Sequence, residues 1–507
     1  MRDARLTVTS MLLLCAAIAG AQDTLMHAVA EECAGLWQIA SPAYLNPAVN
    51  QWRMDAGYTS VGGGYASRSD RRNPDPRGGD ADHAWTLGAE TYTKHRSSTL
   101  WGNASYTNGK TLSVVWNETA DAPLLYPYLM ADSIGGDLTR EVYSFAGGYA
   151  DHRGRWAWGA EIAYTALLQY RDTDPRPKNV TGRFSLSAGA LYRIAGPYYA
   201  GLGVSVLKYK QNNDIDFKSE MGVDKIFHLT GLGTHYNRFA GDCLSTYYDG
   251  LRWDADLSLY PSDGRGVFAV CRFSRFTFDN ILSDLNKLPL ASVWENNFEA
   301  RAGWLSGMEG RHFGGASAEV KVSRRHGTEN IFGDAASGIY PIIASNEMFA
   351  DNGVSVSATG RWGIRSGSVN RLWVELTPAW GHNTTAYVEP YSYRVLAAAS
   401  LTASACGILS AGHGWMLSAI LTAGTTHPYD CDLSLAAGDA EMAGLEAAER
   451  GAYAVASARS TSLGASVGAL RTIAGRYAVS IGAGWAHRHH HGSMSRDNID
   501  IKISFIF

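Results

Sequence analysis

The last ten residues constrain the chain most. From Asn498 to Phe507, the residues Ile499, Ile501, Ile503, Phe505 and Phe507 share one parity, and Asn498, Asp500, Lys502 and Ser504 share the other. Successive side chains of a strand point to opposite faces, so this segment reads as a strand with one apolar and one polar face, Ile506 excepted. A soluble sandwich can contain such a strand, so repetition has to decide. Leu251, Trp253, Ala255, Leu257 and Leu259 alternate with Arg252, Asp254, Asp256 and Ser258. Phe298, Ala300, Ala302 and Trp304 alternate with Asn297, Glu299, Arg301 and Gly303, and Val354, Val356, Ala358, Trp362 and Ile364 alternate with Ser355, Ser357, Thr359 and Arg361. Runs of about ten residues let a tilted strand cross a bilayer. In a transmembrane barrel the apolar face meets lipid and the polar face lines the lumen. Trp156, Trp158, Trp304, Trp380 and Trp485 fall near segment ends, where interfacial girdles sit.

Composition agrees. The chain has 55 Gly, 26 Tyr and 15 Trp, with only 18% charged residues, against about a quarter in soluble domains. Its net charge of −4 provides no basic field to gather nucleic acid. Connections alternate in length. Short ones are expected at 94–98, 151–155, 194–197, 261–266, 306–311, 365–370, 406–412 and 471–475. Longer polar stretches are expected at 67–82, 118–141, 211–249, 327–350 and 425–451. Bacterial barrels have short periplasmic turns and long external loops. Eight short turns with both termini periplasmic predict an all-β transmembrane antiparallel barrel of about 18 strands, within 16–20. An open edge cannot persist in hydrocarbon, so the final strand is expected to pair with the first, near 52–65, and Ile499 to Phe507 resemble the C-terminal signal of such barrels.

The N-terminus reads differently. Arg2 and Arg5 precede the apolar Met11 to Ala19, and Ala19-Gly20-Ala21 gives a small-x-small cleavage site, so residues 1–21 are expected to be a signal peptide. Lipidation at Cys15 is the alternative. No later run of 18 uninterrupted apolar residues suggests a helical span. In residues 22–50, Leu25, Val29, Cys33 and Leu36 share a helical face, and Ser41-Pro42 ends the run. A short helix followed by an extended Asn-Pro segment is expected, plugging the lumen, capping its periplasmic mouth or serving as a passive tail. It is too short for the plug domain of a TonB-dependent receptor. The barrel is expected over 51–507. Cys33, Cys243, Cys271, Cys406 and Cys431 would remain after cleavage, an odd number without Cys-x-x-Cys spacing, which supports neither a disulfide framework nor a zinc site. One pair, Cys243 with Cys431, stays open as an alternative.

The segments Trp116-Asn117-Glu118-Thr119, Tyr126-Pro127-Tyr128, Met130 to Asp137, Tyr143 to Tyr149, Asp174 to Asn179 and the run from His228 to Gly241 together resemble a Bacteroidota family of outer-membrane β-barrel proteins of unknown function. The resemblance covers the chain from about residue 24 to its end. It implies fold and location in the cell outer membrane, and no activity. Asn46-Pro47-Ala48 is also similar to the N-terminal hatch of long-chain fatty-acid transporters.

Three patterns invite chemistry. Gly464-Ala465-Ser466-Val467-Gly468 matches the nucleophile pattern G-x-S-x-G, which works only on a strand-to-helix turn. It lies here in an alternating strand, so no enzyme and no cofactor is expected. His487, His489, His490 and His491 cluster in the expected last outer loop and are weak metal candidates, a solvated histidine-rich loop being the bland alternative. Glu161, Asp254, Asp256, Glu299, Arg301, Arg361, Glu375, Asp500 and Lys502 fall on the lumen-facing parity with both signs present. They would line a mixed-charge passage for polar solutes or brace the lumen by ion pairs. The expected function is a porin-like passive conduit or the barrel component of an envelope transport assembly. A hydrophobic-ligand channel of fatty-acid type, which would need a break in one strand's ladder, and a non-conducting binding or structural platform are the alternatives. The expected partners are outer-membrane lipids, the barrel assembly machinery and an envelope complex, and no nucleic acid.

Overall fold

The fold was analysed in a computed structural model, which describes residues 22–507 apart from 220–224, 240, 242–244, 309, 337, 439, 474–476 and 493. The signal-peptide expectation and Cys243 therefore lie outside the described residues. Eighteen strands form one closed antiparallel sheet. They are β1 (Tyr58–Arg71), β2 (Ala81–His95), β3 (Ser98–Val114), β4 (Gly136–Arg153), β5 (Trp156–Tyr170) and β6 (Arg176–Ala195). Next come β7 (Tyr198–Asp216), β8 (Ser245–Pro261), β9 (Arg265–Leu282), β10 (Leu288–Ser306), β11 (His312–Phe332) and β12 (Ile342–Ser366). The last are β13 (Asn370–Tyr387), β14 (Ser392–Gly412), β15 (Trp415–Ser434), β16 (Ser460–Ile473), β17 (Tyr477–His490) and β18 (Ser495–Ile506).

The barrel closes as the terminal strand requires. β18 pairs with β1 from Ser60↔Ile506 to Arg71↔Ser495, and Thr59 and Phe507 exchange two backbone hydrogen bonds of 2.8 Å. Closure leaves the sheet without an edge. The outer face is apolar: Leu257, Val356, Trp362, Ile503 and Phe505 are all exposed, as are Trp156, Trp158, Trp304, Trp380 and Trp485. On the inner parity Asp254, Asp256 and Arg361 are buried.

Three boundaries differ from expectation. The first strand begins at Tyr58, not near 52, because Pro47–Trp52 winds into a 3-10 helix. The expected extended Asn-Pro segment is likewise replaced by 3-10 turns at Ser41–Leu45 and Pro47–Trp52, each started by a proline in its first turn; proline's fixed φ suits a first helical turn. The turn expected at 406–412 is strand instead. β14 runs through Gly412 and reverses at His413 and Gly414, whose φ angles are 49° and 79°. Inward-facing Ile408 is 1% exposed, so the small residues around it are ladder rather than loop.

Candidate functional site

The N-terminal segment lies inside the barrel at the end bearing the short turns. Helix α1 (Gln22–Ala34) leads into 3-10 turns at Leu36–Gln38, Ser41–Leu45 and Pro47–Trp52. Met26, Ala30, Leu36, Ile39, Ala43 and Val49 form one core with inward residues from around the wall, among them Leu191, Tyr260, Phe268, Phe313, Trp373 and Ile408. At the short-turn end the plug and the wall thus share a single hydrophobic core.

Polar contacts fix the plug at points on both sides of the wall. Arg361 donates to the carbonyls of Ala34 and Gly35 at 3.4 and 3.3 Å and to Gln38 Oε1 at 2.9 Å, while pairing with Glu375 at 2.7 Å. Arg301 donates to Ile39 O at 3.3 Å and Ser41 Oγ at 3.4 Å and pairs with Glu319. The Tyr92 hydroxyl donates to Asn50 O at 2.7 Å, and His152 Nδ1 lies 2.8 Å from Gln51 Oε1. The fit is close enough to demand glycine in the wall: a Cβ on Gly159 would meet the Pro47 carbonyl carbon at 2.6 Å, and one on Gly189 would meet Asn46 Oδ1 at 1.8 Å. Asn46 caps its turn by accepting from Ala48 N at 3.1 Å. Glu31 of α1 accepts from Asp55 N at 3.3 Å. Burial, reinforced by the Asp55 carboxylate, pushes Glu31 up to about 7.

At the opposite end the long connections fold inward. Trp116, Leu125, Tyr128, Phe227, Phe278 and Leu445 belong to one cluster. The segments Met130–Ala131, Phe227–Gly231 and Thr234–His235 form a small separate sheet. Helix α2 (Ala443–Ala456) lies over this cluster. Its Glu449 pairs with Arg77 at 2.5 Å, and Gly444 and Gly451 abut Trp116 and Pro74. Beneath, Arg171 pairs with Glu118 and with Asp132, all three side chains being at most 1% exposed. Burial and the Asp132 carboxylate raise Glu118 well above the usual carboxylate range.

Between plug and loops the two halves of the inner wall differ in chemistry. On β8 to β13 most of the charges pair within the wall: Arg272 with Asp254 (3.1 Å), Lys321 with Glu319 (2.7 Å) and Glu299 (3.9 Å), Arg301 with Glu319, and Arg361 with Glu375. Among the described residues, buried Asp256 Oδ1 and Arg371 Nε and Nη1 have no hydrogen-bond partner. A chamber of about 820 Å³ adjoins this wall, lined by Arg252, Arg272, Asn297, Glu299, Lys321 and Ser355 among others. The other half carries mainly hydroxyls and glycine at mid-height, with ion pairs nearer the long connections: Arg496 with Asp70 (2.6 Å), Arg68 with Asp70 (3.0 Å) and Arg140 with Asp82. Over β1 lies a groove of about 430 Å³, floored by Ser60, Gly62, Gly64 and Ala66 and flanked by Glu90, Asn103, Asp500 and Lys502. A cleft of about 260 Å³ continues from it between α1 and β15 to β18. The two cavities share Ser60, Glu90, Lys502 and Ser504. Glu32 and Cys33 of α1 line the cleft, together with Val29, Met416, Leu470 and Ile506. Those last three, near the turn-end tips of their strands, are 4%, 3% and 6% exposed and form an apolar seam against α1.

The sequence-derived residues thus fall into two groups. Asp254, Asp256, Glu299, Arg301, Arg361 and Glu375 gather on the ion-paired wall or under the plug. Asp500 and Lys502 flank the groove, and Glu161 accepts from Trp101 Nε1 at 2.6 Å. Glu90 went unassigned, although its parity with Thr86 and Gly88 against Leu87 and Ala89 was readable. Most of the histidines are not in a loop: His487, His489 and His490 belong to β17, whose alternation turns His490 away from the other two, and His491 lies in the turn that follows. His487 Nδ1 lies 2.8 Å from Asp497 and His490 Nδ1 is 3.1 Å from Val455 O. Among the described residues no group of three or more His, Cys, Asp or Glu could hold a metal. Ser466 sits mid-strand opposite Gly484, far from any strand-to-helix turn. Cys431 is free, with its thiol near Ala397 O, as are Cys33, Cys271 and Cys406. On the outer wall Trp304, Trp362, Leu463 and Trp485 rim an apolar groove of about 1140 Å³. Nearby, the β12–β13 pairing lapses opposite Pro378, which has no N–H to give.

Residues 47–507 match the model of a family described as "Family of unknown function (DUF6850)", and the chain belongs to that family. No curated protein matches. Among solved structures the chain is similar to the ferric yersiniabactin uptake receptor FyuA from Yersinia pestis, at 9% identity and a TM-score of 0.38, over 89% of this chain and 80% of that one. It is similar to BauA, the ferric preacinetobactin receptor from Acinetobacter baumannii, at 8% identity and a TM-score of 0.38, covering 90% and 81%. A bacterial polysaccharide outer membrane secretin aligns at 11% identity and a TM-score of 0.33, covering 89% and 98%.

Proposed function

We propose, taking as premise that this member of the DUF6850 family is an 18-stranded barrel carrying its own plug, that it is an outer-membrane conduit for small polar solutes whose path runs off-centre. The apolar outer belt suits it to a bilayer, the short-turn end would face the periplasm, and residues 1–21 would direct export. The barrel assembly machinery would insert it, with the β18–β1 closure as the step recognised. The reading needs no catalytic group, cofactor or nucleic acid. One observation carries it: the groove over β1 and the cleft beside α1 share Ser60, Glu90, Lys502 and Ser504. Polar wall therefore runs from the interior to the seam at Met416, Leu470 and Ile506. A hydrophobic constriction of that kind gates by excluding water.

The hydrophobic-ligand alternative asks for a lateral exit. The lapse at Pro378 is the natural place, yet the Thr359 and Thr377 hydroxyls meet across it at 3.3 Å, so the strands stay side by side. Planar-bilayer recording tests the polar reading. The full chain is expected to show small, infrequent openings, and a chain lacking residues 22–53 a conductance at least tenfold larger. A shortened chain that folds and conducts no better than the full one would refute it.

A further inference from the structure

The charges on the two inner walls are not equivalent. On β8 to β13 the acids Asp254, Glu299, Glu319 and Glu375 each have a base within 4 Å. Around the β1 groove, Glu90 receives hydrogen bonds from the Tyr58 hydroxyl (3.1 Å) and Ser60 Oγ (3.2 Å) and pairs with no cation among the described residues. Asp500 and Lys502 form no ion pair among the described residues, and all three are exposed to the lumen. Charges that are already paired offer a solute little. Three unpaired charges around a glycine floor offer it a great deal.

Register gives the spacing. Glu90 stands opposite Ser60 of β1 on one side, and Lys502 stands opposite Gly64 on the other. Four residues along a strand is about 13 Å, and β1 lies between the two. Once a carboxylate and a long ammonium side chain have both reached inward, the span left is nearer that of a dipeptide than of a single amino acid. Asp500 shares the face of Lys502 two residues away and offsets its charge, so a plain anion gains little there. A ligand with an ammonium at one end and a carboxylate at the other satisfies Glu90 and Lys502 together through charge-assisted hydrogen bonds.

We infer that the groove over β1 is a binding station for small zwitterions of dipeptide length, with the ammonium at Glu90 and the carboxylate at Lys502. As a step in transport it rests on the conduit reading, whereas occupancy can be measured without any flux.

The test titrates glycylglycine, its N-acetylated form (anion only) and its C-terminal amide (cation only) into the detergent-solubilised full chain by calorimetry. Glycylglycine is expected to bind at least tenfold more tightly than either capped form. Lys502→Met should bring it down to the level of the amide and Glu90→Gln to that of the acetyl form, while Lys502→Arg should retain binding. Heat-modifiable mobility on gels checks that each variant is folded. Equal binding of the three ligands, no binding of glycylglycine, or full binding by folded K502M or E90Q would overturn the assignment. Binding without current in the plug-deleted chain would sink the conduit reading alone, and current without binding would sink the station alone.

Discussion

Along β10 to β13 the plug is held by Arg301 and Arg361, which reach its carbonyls from a wall of ion pairs, whereas along β15 to β18 it rests on Met416, Leu470 and Ile506 and leaves a polar cleft. The first contact is directional and the second is not. Charge-assisted hydrogen bonds to fixed carbonyls are lost outright when a segment shifts by an ångström or two. Apolar surfaces can slide while keeping most of their burial. A plug held in this way has a fixed side and a side that can part, and the parting side is the one that adjoins the uncommitted charges.

Breaking the fixed side should cost most. Arg361→Ala removes two carbonyl contacts, the bond to Gln38 and the partner of Glu375, with a side chain only 6% exposed. A loss of about 3–5 kcal/mol is expected, as when one member of a buried pair is removed, read from urea-unfolding midpoints in lipid. Leu470→Ala on the seam should cost less, about 2–3 kcal/mol by the usual range for buried leucine, yet raise open probability severalfold in bilayers. A Leu470→Ala protein that is destabilised without conducting more would place the gate elsewhere.

Titration of Glu31 should act more gently on the same contrast. Its carboxyl, facing Asp55, Arg371 and Lys94, is raised from 4.5 to about 7, chiefly by burial. An acid whose pKa is raised in the folded state imposes no penalty below 4.5, a growing one up to about 7 and the full one above it. Docking of α1 should therefore be tightest in acid, and open probability should climb between pH 5 and pH 8. Glu31→Gln should flatten that profile; an unchanged slope would exonerate Glu31.

Much of this was legible in the sequence. Two-residue alternation around Leu251–Ser258 and Val354–Arg361 is local and marked the apolar and polar faces. The count of short turns gave the strand number, and the bar on open edges gave the closure through Phe507. Parity also put Arg301, Arg361, Asp500 and Lys502 on the inner face. Parity cannot say which inward charges find partners, because that depends on register between strands distant in sequence: Arg361 meets Glu375, while Lys502 faces glycine. The same limit applied to residues 22–53. Their helical face was readable, but the 3-10 turns started by Pro42 and Pro47 are stabilised by contacts such as Gly189 against Asn46, which no short-range pattern announces. The histidines misled because density suggests a loop, whereas β17 spreads three of them over two faces.

Cys33 provides the most direct test of the off-centre path, since it is an exposed thiol on α1 that lines the cleft. In a protein whose other mature cysteines are serine, a bulky disulfide-forming reagent would be attached at Cys33 during single-channel recording, with its extent read by mass spectrometry. Open-state current should fall by more than half and return on reduction. Complete modification that leaves the current unchanged would mean that solute does not pass beside helix α1.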